Sequence, residues 1–428
     1  MKRSSTPIPV ARPRSAARRA TALSMAALIL GAGAAACSTS GSGSGASGGT
    51  YTVWDPYPQF TNSSAWVALL DRCGSESGVT INRTGYDTTS LTSKELLAAQ
   101  QGVSPDVLIV DNPVVSTLAS AGVLTDTSEN HLSTSAVESN LMGAGEYQGK
   151  TYGVPIGANT LALYYNKAIL KAAGVDPTSI TNWSPLTAAL AKVKAVGKTG
   201  ITFSAIGTEE GSFQFEPWLW GAGADLTDLG SADAVAALTL WNTWLKDGYA
   251  PNSVINDTQT TSWEEFAAGK TAFGENGTWQ LANAEKAGFS YGIIPIPAEN
   301  GGSAPVPTGG EFVTIPQQSD ASRYTTSEKI VSCLTDADNA YTTDNTLSYV
   351  AASTVVQLKQ AAANPALGVW VTAVQSGKAR TGDDLGTNYP KISQELWTAV
   401  QSALSGSASP QSAMTTAQSA ASAATNGK

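Results

Sequence analysis

Residues 152–177 read YGVPIGANTLALYYNKAILKAAGVDP, and this stretch decides how the chain is interpreted. Within it, Leu161–Tyr165 is an apolar run with two aromatic residues, which predicts a buried strand. A helix is predicted directly beyond this strand. Further strands and helices alternate on both sides of the stretch, and that alternation predicts an α/β fold.

The elements before this stretch follow the same alternation. Ser64–Arg72 has the spacing of a helix, and Val79–Arg83 alternates as a strand. Thr92–Glu95 matches a capping box, which predicts the start of a second helix. Asp106–Val110 is a continuous apolar run, as expected for a strand buried on both faces of a parallel sheet.

The elements after the stretch belong to the same class. Ala232–Lys246 carries apolar residues at helical spacing, and Ser262–Glu265 matches another capping box. Tyr291–Pro297 and Phe312–Pro316 are strand-like runs interrupted by proline. We therefore expect both runs at sheet edges or at chain crossings rather than at sheet centres. From Pro410 the chain is Ala-rich and weakly amphipathic, and either a docked helix or a frayed tail fits that pattern.

The amino terminus has the features of an export signal over residues 1–36. It combines a basic region with the apolar stretch 22–36, which is shorter than the roughly 20 residues of a membrane span. Ala-Ala-Ala-Cys37 resembles the lipobox of bacterial lipoproteins, although alanine replaces the usual leucine at position 34. Residues 37–50 are rich in Gly and Ser, as in a flexible linker, and we expect Cys37 to carry a lipid anchor. Ordinary secretion is the alternative.

Charge and cysteine content narrow the classes of function. The predicted signal holds six of the 25 Lys and Arg and none of the 34 Asp and Glu, so the mature chain carries a net charge of −15. This surplus of negative charge argues against a nucleic-acid ligand. Cys73 and Cys333 either form a disulfide or are two separate buried thiols on helix faces. The sequence shows no pattern of metal ligands, and we expect no cofactor.

Several motifs occur in the order that is typical of one protein family. They are Ser104-Pro-Asp-Val107, Tyr152-Gly-Val-Pro155, Leu163-Tyr-Tyr-Asn-Lys167, Pro217-Trp-Leu-Trp-Gly-Ala-Gly223, Phe266-Ala-Ala-Gly-Lys-Thr-Ala-Phe273, Gly277-Thr-Trp279 and Gly309-Gly-Glu311. In this order and spacing the chain resembles the extracellular solute-binding proteins of ABC importers, in the large maltose-binding-protein-like group that binds sugars. The resemblance runs from about Tyr51 to Ala420.

The resemblance implies an α/β, two-lobe periplasmic-binding-protein-like fold of type II, with hinge crossings and a ligand cleft between the lobes. It places crossings near Pro155–Thr160, Gly292–Ile296 and Ile315–Arg323. The lobes implied are discontinuous in sequence. The N-terminal lobe comprises 51–157 and 294–318, and the C-terminal lobe comprises 158–293 and 319–428.

A sugar site needs flat aromatic faces for the apolar C–H faces and planar polar groups for the hydroxyl rim. The chain has 11 Trp, which makes this chemistry available. The candidate ligand-binding residues are Trp54, Asp55, Gln59, Ser64, Asp111, Asn159, Trp218, Trp220, Trp279, Gly310 and Glu311. Three of them have structural alternatives: Trp54 as a core residue, and Asp111 and Ser64 as helix caps. Ser63, Arg380 and Tyr389 are weaker candidates.

The resemblance implies the substrate-binding component of an ABC importer, which captures a sugar or oligosaccharide by hinge closure and delivers it to the permease. The expected protein is a monomer, lipid-anchored at the extracytoplasmic face of the cell membrane, and not an enzyme. A non-sugar solute such as a polyamine or phosphodiester is the alternative ligand. A surface sensor, an adhesion receptor or a glycosidase are further alternatives, although the adjacent carboxylates Glu209-Glu210 and Asp383-Asp384 are typical of solvated loops.

Overall fold

The computed structural model describes residues 48–382 and 385–426. The predicted export signal and Cys37 lie outside the described residues, as do Asp383 and Asp384. In the described part, none of the helices combines the length and the apolar character that a membrane crossing requires.

The strands that the structure describes are β1 (Thr50–Asp55), β2 (Thr80–Gly85), β3 (Val107–Asp111), β4 (Glu146–Tyr147), β5 (Lys150–Thr151), β6 (Val154–Pro155), β7 (Leu161–Asn166), β8 (Thr199–Thr202), β9 (Thr271–Gly277), β10 (Tyr291–Ile294), β11 (Pro307–Thr308), β12 (Glu311–Thr314) and β13 (Lys378–Ala379).

The α-helices are α1 (Ala65–Glu76), α2 (Thr88–Gln101), α3 (Val115–Ser120), α4 (Ser139–Met142), α5 (Lys167–Ala172), α6 (Trp183–Ala195), α7 (Glu209–Ala222), α8 (Ala232–Lys246), α9 (Gln259–Ala267), α10 (Leu281–Ala284), α11 (Tyr324–Thr335), α12 (Ala337–Leu347), α13 (Thr354–Ala363), α14 (Gly368–Gln375), α15 (Tyr389–Leu404) and α16 (Pro410–Ala424).

The first lobe is built on a five-stranded sheet of order β2-β1-β3-β12-β6. Strands β2 and β3 run parallel to β1, whereas β12 is antiparallel to both β3 and β6. Alternate β3 side chains enter two different cores: Val107 and Ile109 pack on one face, and Leu108 and Val110 on the other. This alternation is the period of two of a strand, and it explains why β3 is apolar throughout.

The second lobe is built on a four-stranded sheet of order β10-β7-β9-β8. Strand β7 is antiparallel to both of its neighbours, and β8 is parallel to β9. Leu161 and Leu163 face one core, whereas Ala162 and Tyr164 face the other. Strand β7 is therefore a central strand covered on both faces, and α5 follows it directly.

Three connections link the two lobes. The first lies between β6 and β7. The second lies between Val306, which still packs in the core of the second lobe, and β12, and so comes later than the predicted Gly292–Ile296. The third lies later than the predicted Ile315–Arg323: Tyr349 still packs in the core of the first lobe, and Val350 already packs in the second. Helices α11 and α12 therefore belong with the first sheet, because Ile330 and Leu347 join the same core as β1. We revise the predicted lobe boundary at residue 319 accordingly.

Cys73 of α1 and Cys333 of α11 form a disulfide, with their Cα atoms 5.6 Å apart. This decides between the two alternatives that the sequence left open. The bridge joins two helices that already share a core, so it fastens the late segment of the chain to the early one.

Several local predictions were wrong. Helix α2 begins at Thr88 with Asp87 as its N-cap, so Thr92–Glu95 lies inside the helix. Helix α9 begins at Gln259 with Thr258 as its N-cap, so Ser262–Glu265 is internal as well. In both cases the side chain of an earlier Asp or Thr accepts the hydrogen bond from a backbone N–H that defines an N-cap. Strand β12 lies inside its sheet rather than at an edge, because the proline follows the paired residues.

Candidate functional site: the cleft between the lobes

A cleft of about 320 Å³ lies between the lobes and receives side chains from both. We call this space the cleft throughout. The residues that line it are Pro56, Tyr57, Gln59, Phe60, Thr88, Asp111, Asn159, Thr208, Glu209, Glu210, Phe213, Gln259, Thr260, Trp279, Gly309, Gly310, Glu311, Leu347, Tyr349 and Arg380.

The ends of several elements place these residues together. The loop beginning at Pro56 follows β1, and Asp111 is the last residue of β3. On the opposite side, Glu209 and Glu210 form the first turn of α7, and Trp279 lies just beyond the end of β9. Open α/β sheets bind ligands at the carboxyl ends of their strands, and the cleft lies at such ends.

The floor of the cleft is a pair of hydrogen-bonded crossings. The Asn159 N–H donates to the Gly309 carbonyl at 3.1 Å, and the Gly309 N–H donates back to the Asn159 carbonyl at 2.8 Å. Gly310 has φ +109°, and a Cβ on it would lie 2.5 Å from the Gly157 carbonyl oxygen. Glycine is therefore required where the two crossings approach each other.

Arg380 connects the two sides of the cleft. Its guanidinium donates to Asp111 Oδ1 at 2.9 Å and Asn112 Oδ1 at 2.8 Å in the first lobe, and to Glu209 Oε1 at 2.7 Å on α7. The side chain is only 2% exposed. Its guanidinium carbon also lies 4.7 Å from the centroid of the Phe213 ring, within the range of a cation–π contact.

Behind Arg380 lie two interacting acids, the partly exposed Glu209 and the fully buried Glu216. The Tyr389 hydroxyl contacts Glu209 and donates to Glu216 Oε1 at 2.8 Å, and the Ser393 hydroxyl donates to Glu209 Oε2 at 2.5 Å. Burial raises the pKa of Glu209, and the guanidinium of Arg380 opposes that rise. Burial and then the neighbouring Glu209 raise the pKa of Glu216 well above its ordinary value.

Glu311 is the second acidic centre of the cleft. It pairs with Asp111 across the antiparallel β3–β12 ladder, so the two carboxylates leave adjacent positions of the sheet. The Tyr349 hydroxyl donates to Glu311 Oε2 at 2.6 Å. Burial, followed by the charge of Asp111, raises the pKa of Glu311 from 4.5 to about 7.

Aromatic rings line both sides of the cleft. Tyr57 and Phe60 face each other at 5.8 Å between centroids on the first lobe. Phe213 and Trp279 lie 6.3 Å apart on the second. Trp279 is partly exposed, in contrast to the tryptophans in the core of the same lobe. The cleft thus offers flat apolar faces next to planar polar groups, which is the combination expected for a small polar ligand.

Of the eleven predicted ligand-binding residues, six line the cleft. They are Gln59, Asp111, Asn159, Trp279, Gly310 and Glu311. They come from both lobes and from the crossings, so the structure brings together residues up to 252 positions apart. Their contact with a ligand stays a prediction.

Three predicted residues from the start of the chain do not line the cleft, and we remove them from the site. Asp55 is fully buried, where it binds Arg83 at 2.5 Å and accepts from Trp66 Nε1 at 2.9 Å. Trp54 packs edge-on against Tyr86 at 5.1 Å. Ser64 caps α1, accepting from the Val67 N–H at 3.3 Å.

Trp218 and Trp220 are removed from the site for a different reason. Both were candidates for aromatic rings that face the ligand, but the residues belong to α7, which contains Pro217. Trp218 is fully buried and donates from Nε1 to Glu275 Oε2 at 2.8 Å, and Trp220 is also a core residue. Both rings therefore stabilise the second lobe instead of facing a ligand.

Sequence reasoning missed or undervalued several residues of the cleft. Tyr57, Phe213 and Tyr349 carried no signal beyond being aromatic. Glu209-Glu210 was assigned to a solvated loop, but the pair opens α7, where acidic residues favour the positive end of the helix dipole. Arg380, a weaker candidate, is central because the chain returns to the cleft after β13.

Relatives of known function show which proteins the chain resembles. It is 26% identical over 285 residues to the maltodextrin-binding protein MdxE of Bacillus subtilis, covering 60% of this chain and 63% of that protein. It is 26% identical over 254 residues to a maltooligosaccharide ABC transporter solute-binding lipoprotein of Streptococcus pneumoniae, covering 56% and 59%. The chain thus matches less than two thirds of the length of these relatives.

Solved structures share the fold at lower identity. The GacH receptor of Streptomyces glaucescens, solved unliganded and with acarbose, has a TM-score of 0.75 and 24% identity, covering 88% of this chain and 98% of that one. UgpB of Mycobacterium tuberculosis, in complex with glycerophosphocholine, has a TM-score of 0.77 and 22% identity with the same coverage. The two ligands differ in chemistry, so this likeness supports the fold alone.

A family model that matches most of the chain identifies the family to which it belongs. The family model described as bacterial extracellular solute-binding protein matches residues 68–369, a span that includes every strand of the two sheets except β1 and most of the residues lining the cleft. The predicted two-lobe fold of type II is confirmed by the solved structures above. The chain belongs to the bacterial extracellular solute-binding protein family.

Proposed function

We propose that the chain is the substrate-binding component of an ABC importer and captures a sugar or oligosaccharide in the cleft. The cleft itself is the observation that carries this proposal. It joins aromatic faces from both lobes, Tyr57 and Trp279 among them, to the planar polar groups of Asp111, Asn159 and Arg380. Those groups match the apolar faces and hydroxyl rim of a pyranose ring.

The mechanism is hinge closure around the ligand. The first and third crossings are hydrogen-bonded to each other through Ala158 and Val350, at 2.7 and 2.8 Å, and the first also bonds to the second through Asn159. All three crossings therefore meet beside the cleft, where small backbone rotations swing one lobe relative to the other. A ligand that contacts both lobes favours the closed state through its additional contacts there.

Delivery, anchoring and assembly complete the proposal. The closed monomer docks on the transmembrane permease subunits, and a lipid on Cys37 holds it at the extracytoplasmic face of the membrane. The family is extracellular, and the related pneumococcal protein is a lipoprotein, which supports this location. Globomycin, which blocks cleavage of lipoprotein signals, should leave the full-length precursor in the membrane fraction. Mature protein free in the medium would contradict the anchor.

We also propose that the chain is not an enzyme. Its family consists of solute-binding proteins, and three carboxylates of the cleft, those of Asp111, Glu209 and Glu311, accept hydrogen bonds from Arg380 or Tyr349. Prolonged incubation with each bound oligosaccharide, followed by chromatography, should return the saccharide intact. Release of shorter sugars would instead favour the glycosidase alternative.

Thermal unfolding tests the proposed ligand class directly. Purified mature protein is screened against mono- and oligosaccharides, spermidine and glycerophosphodiesters. Binding raises stability by about 2.7 kcal/mol at a hundredfold excess of ligand over Kd. A shift with saccharides supports the proposal. A shift with spermidine or a phosphodiester and with none of the saccharides would refute the sugar assignment.

A further inference from the structure

A groove of about 490 Å³ lies at the end of the second sheet that points away from the cleft. Its lining includes residues that end strands of that sheet or come just before them, namely Asn166, Lys198, Gly269 and Phe289. Strand β9, with seven residues, begins beside this groove and ends at the cleft, roughly 20 Å away. We call this space the outer groove. A molecule bound there leaves the cleft open to its ligand.

Five exposed lysines surround the outer groove. One of them lines it, and the other four are sequence neighbours of lining residues: Lys198, and then Lys167, Lys171, Lys270 and Lys286. Backbone hydrogen bonds bring their segments together. The Lys167 N–H donates to the Ser290 carbonyl at 3.0 Å, and the Lys270 carbonyl accepts from the Thr199 N–H at 3.2 Å. Four separate segments of the chain therefore bring five positive charges to one groove.

These charges are not balanced within the part of the chain that the structure describes. None of the five lysines takes part in an ion pair there. Lys167 and Lys171 are four residues apart on α5, a spacing at which like charges destabilise a helix. The acids that flank the groove segments are Glu265, which accepts hydrogen bonds from two hydroxyls, and the exposed Glu285. No Asp or Glu occurs in the segments themselves, which are 166–172, 196–198, 267–270 and 286–289.

The surface between the lysines is apolar. Val196 lines the outer groove and is 43% exposed, which is unusual for a large apolar side chain in this protein. Phe289 is partly exposed beside it. Most other lining residues are small, among them Ala168, Ala172, Ala268, Gly269 and Gly288. An exposed apolar patch with a charged rim is typical of a surface that binds a protein or a membrane.

The type of cation favours a membrane over a protein partner. All five rim residues are Lys and none is Arg, whereas protein interfaces are enriched in Arg and depleted in Lys. Lysines are flexible point charges, and lipid headgroups are mobile, so the two match at any spacing. Each lysine near an anionic membrane strengthens binding about fivefold. Charges act over only about 10 Å at 0.1 M salt, so the local rim outweighs the net negative charge of the chain.

We propose that the outer groove binds the surface of an anionic phospholipid membrane. The five lysines contact headgroup phosphates, and Val196 and Phe289 lie at the level of the headgroups. This contact orients the second lobe at the membrane while the cleft stays accessible. It is a second binding surface beyond ligand capture, and it holds whether or not Cys37 carries a lipid.

Vesicle flotation tests the contact. The full mature chain carries Cys37→Ser, so that no lipid anchor contributes. Vesicles of phosphatidylcholine alone are compared with vesicles that also contain phosphatidylglycerol, at low and at high salt. We expect binding to the anionic vesicles to be at least about tenfold tighter than to the neutral ones, and to weaken at least about tenfold at high salt, because salt screens the lysines. Equal binding to both kinds of vesicle, or binding to neither, overturns the proposal.

Matched variants locate the contact. Replacing Lys171, Lys198 and Lys270 together by Gln should weaken binding to anionic vesicles at least about thirtyfold. The control replaces exposed lysines outside the outer groove by Gln and removes the same charge: Lys94, Lys329 and Lys391. The control should stay within about threefold of wild type, and equal losses in the two variants overturn the assignment. A polyglutamate peptide that binds the wild-type chain when vesicles do not would assign the groove to an acidic polypeptide and also overturn it. The saccharide-induced thermal shift should persist in both variants, so failure here is distinct from failure of the proposed function.

Discussion

Replacing Glu311 by Gln should change how stability depends on pH. The pKa of Glu311 is about 7 in the folded protein, against 4.5 for an ordinary glutamate, and burial is the main cause. Between these values the unfolded chain is ionised at this position while the folded protein stays protonated. The folded protein therefore binds more protons, so its stability falls as pH rises from about 4.5 to about 7.

The size of this effect follows from the shift. At about 1.4 kcal/mol per pKa unit, a rise from 4.5 to about 7 removes roughly 3 kcal/mol from the free energy of unfolding. Glutamine cannot ionise, so the variant lacks this loss. Urea unfolding at intervals from pH 4.5 to 7.5 should show Glu311→Gln gaining about 3 kcal/mol relative to wild type over that range.

Two comparisons make the experiment decisive. Losing the Tyr349 hydrogen bond shifts the stability of the variant at every pH, so the measurement uses only the change in the difference with pH. Glu285→Gln, on the exposed surface, should follow the wild-type curve throughout. A difference between Glu311→Gln and wild type that varies by less than about 1 kcal/mol over this range would refute the raised pKa.

Three further changes test other parts of the structure. Trp279→Ala should weaken saccharide binding by about 2 kcal/mol, roughly thirtyfold in Kd by calorimetry, and an unchanged Kd would remove the ring from the site. Arg380→Gln should lower the free energy of unfolding by about 3 kcal/mol, because it removes a buried guanidinium and leaves the partly buried carboxylates of Asp111 and Glu209 without their cation. The exposed Arg72→Gln control should stay within about 0.5 kcal/mol, and equal losses in both would contradict the inter-lobe role of Arg380. Replacing Cys73 and Cys333 together by Ser should cost about 5 kcal/mol in urea unfolding, since the bridge closes a loop of 260 residues, and a loss below about 1 kcal/mol would contradict it.

Helices and strands with a clear pattern of apolar residues were predictable from the sequence. The helix over Ala232–Lys246 has the predicted bounds, because its apolar stripe and the residues at its ends agree. The continuous apolar run of β3 also indicated burial on both faces correctly. In such segments the local secondary structure and the surrounding core both require apolar residues at the same positions.

Helix starts were harder to predict, because the capping signature is short. Thr92–Glu95 fits a capping box, yet Asp87 provides the cap one turn earlier. A Thr followed by Glu three residues later occurs inside helices as well. Which candidate becomes the cap depends on where the preceding chain turns, and that turn is set by β2 and its neighbours.

The residues of the cleft were only partly predictable, because many of them are far apart in the sequence. Asp111, Asn159 and Trp279 followed strands or crossings that the family resemblance located. Arg380 meets Asp111 across 269 residues, and no local pattern reports such a meeting. Conversely, Trp218 is of a residue type that often stacks on sugars, but it lies in α7, a helix that is buried on nearly all sides.

The order of strands in the first sheet determines which of the two sheets can be completed first. The second sheet uses the contiguous chain from β7 to β10, whereas the first must wait for β12 to insert between β3 and β6. In a chain that leaves the membrane amino end first, β3 therefore keeps an open edge while the whole second sheet emerges. The sheet whose first strands are synthesised first is therefore the later of the two to be completed, and the oxidation that joins Cys73 to Cys333 follows only after most of the chain is outside.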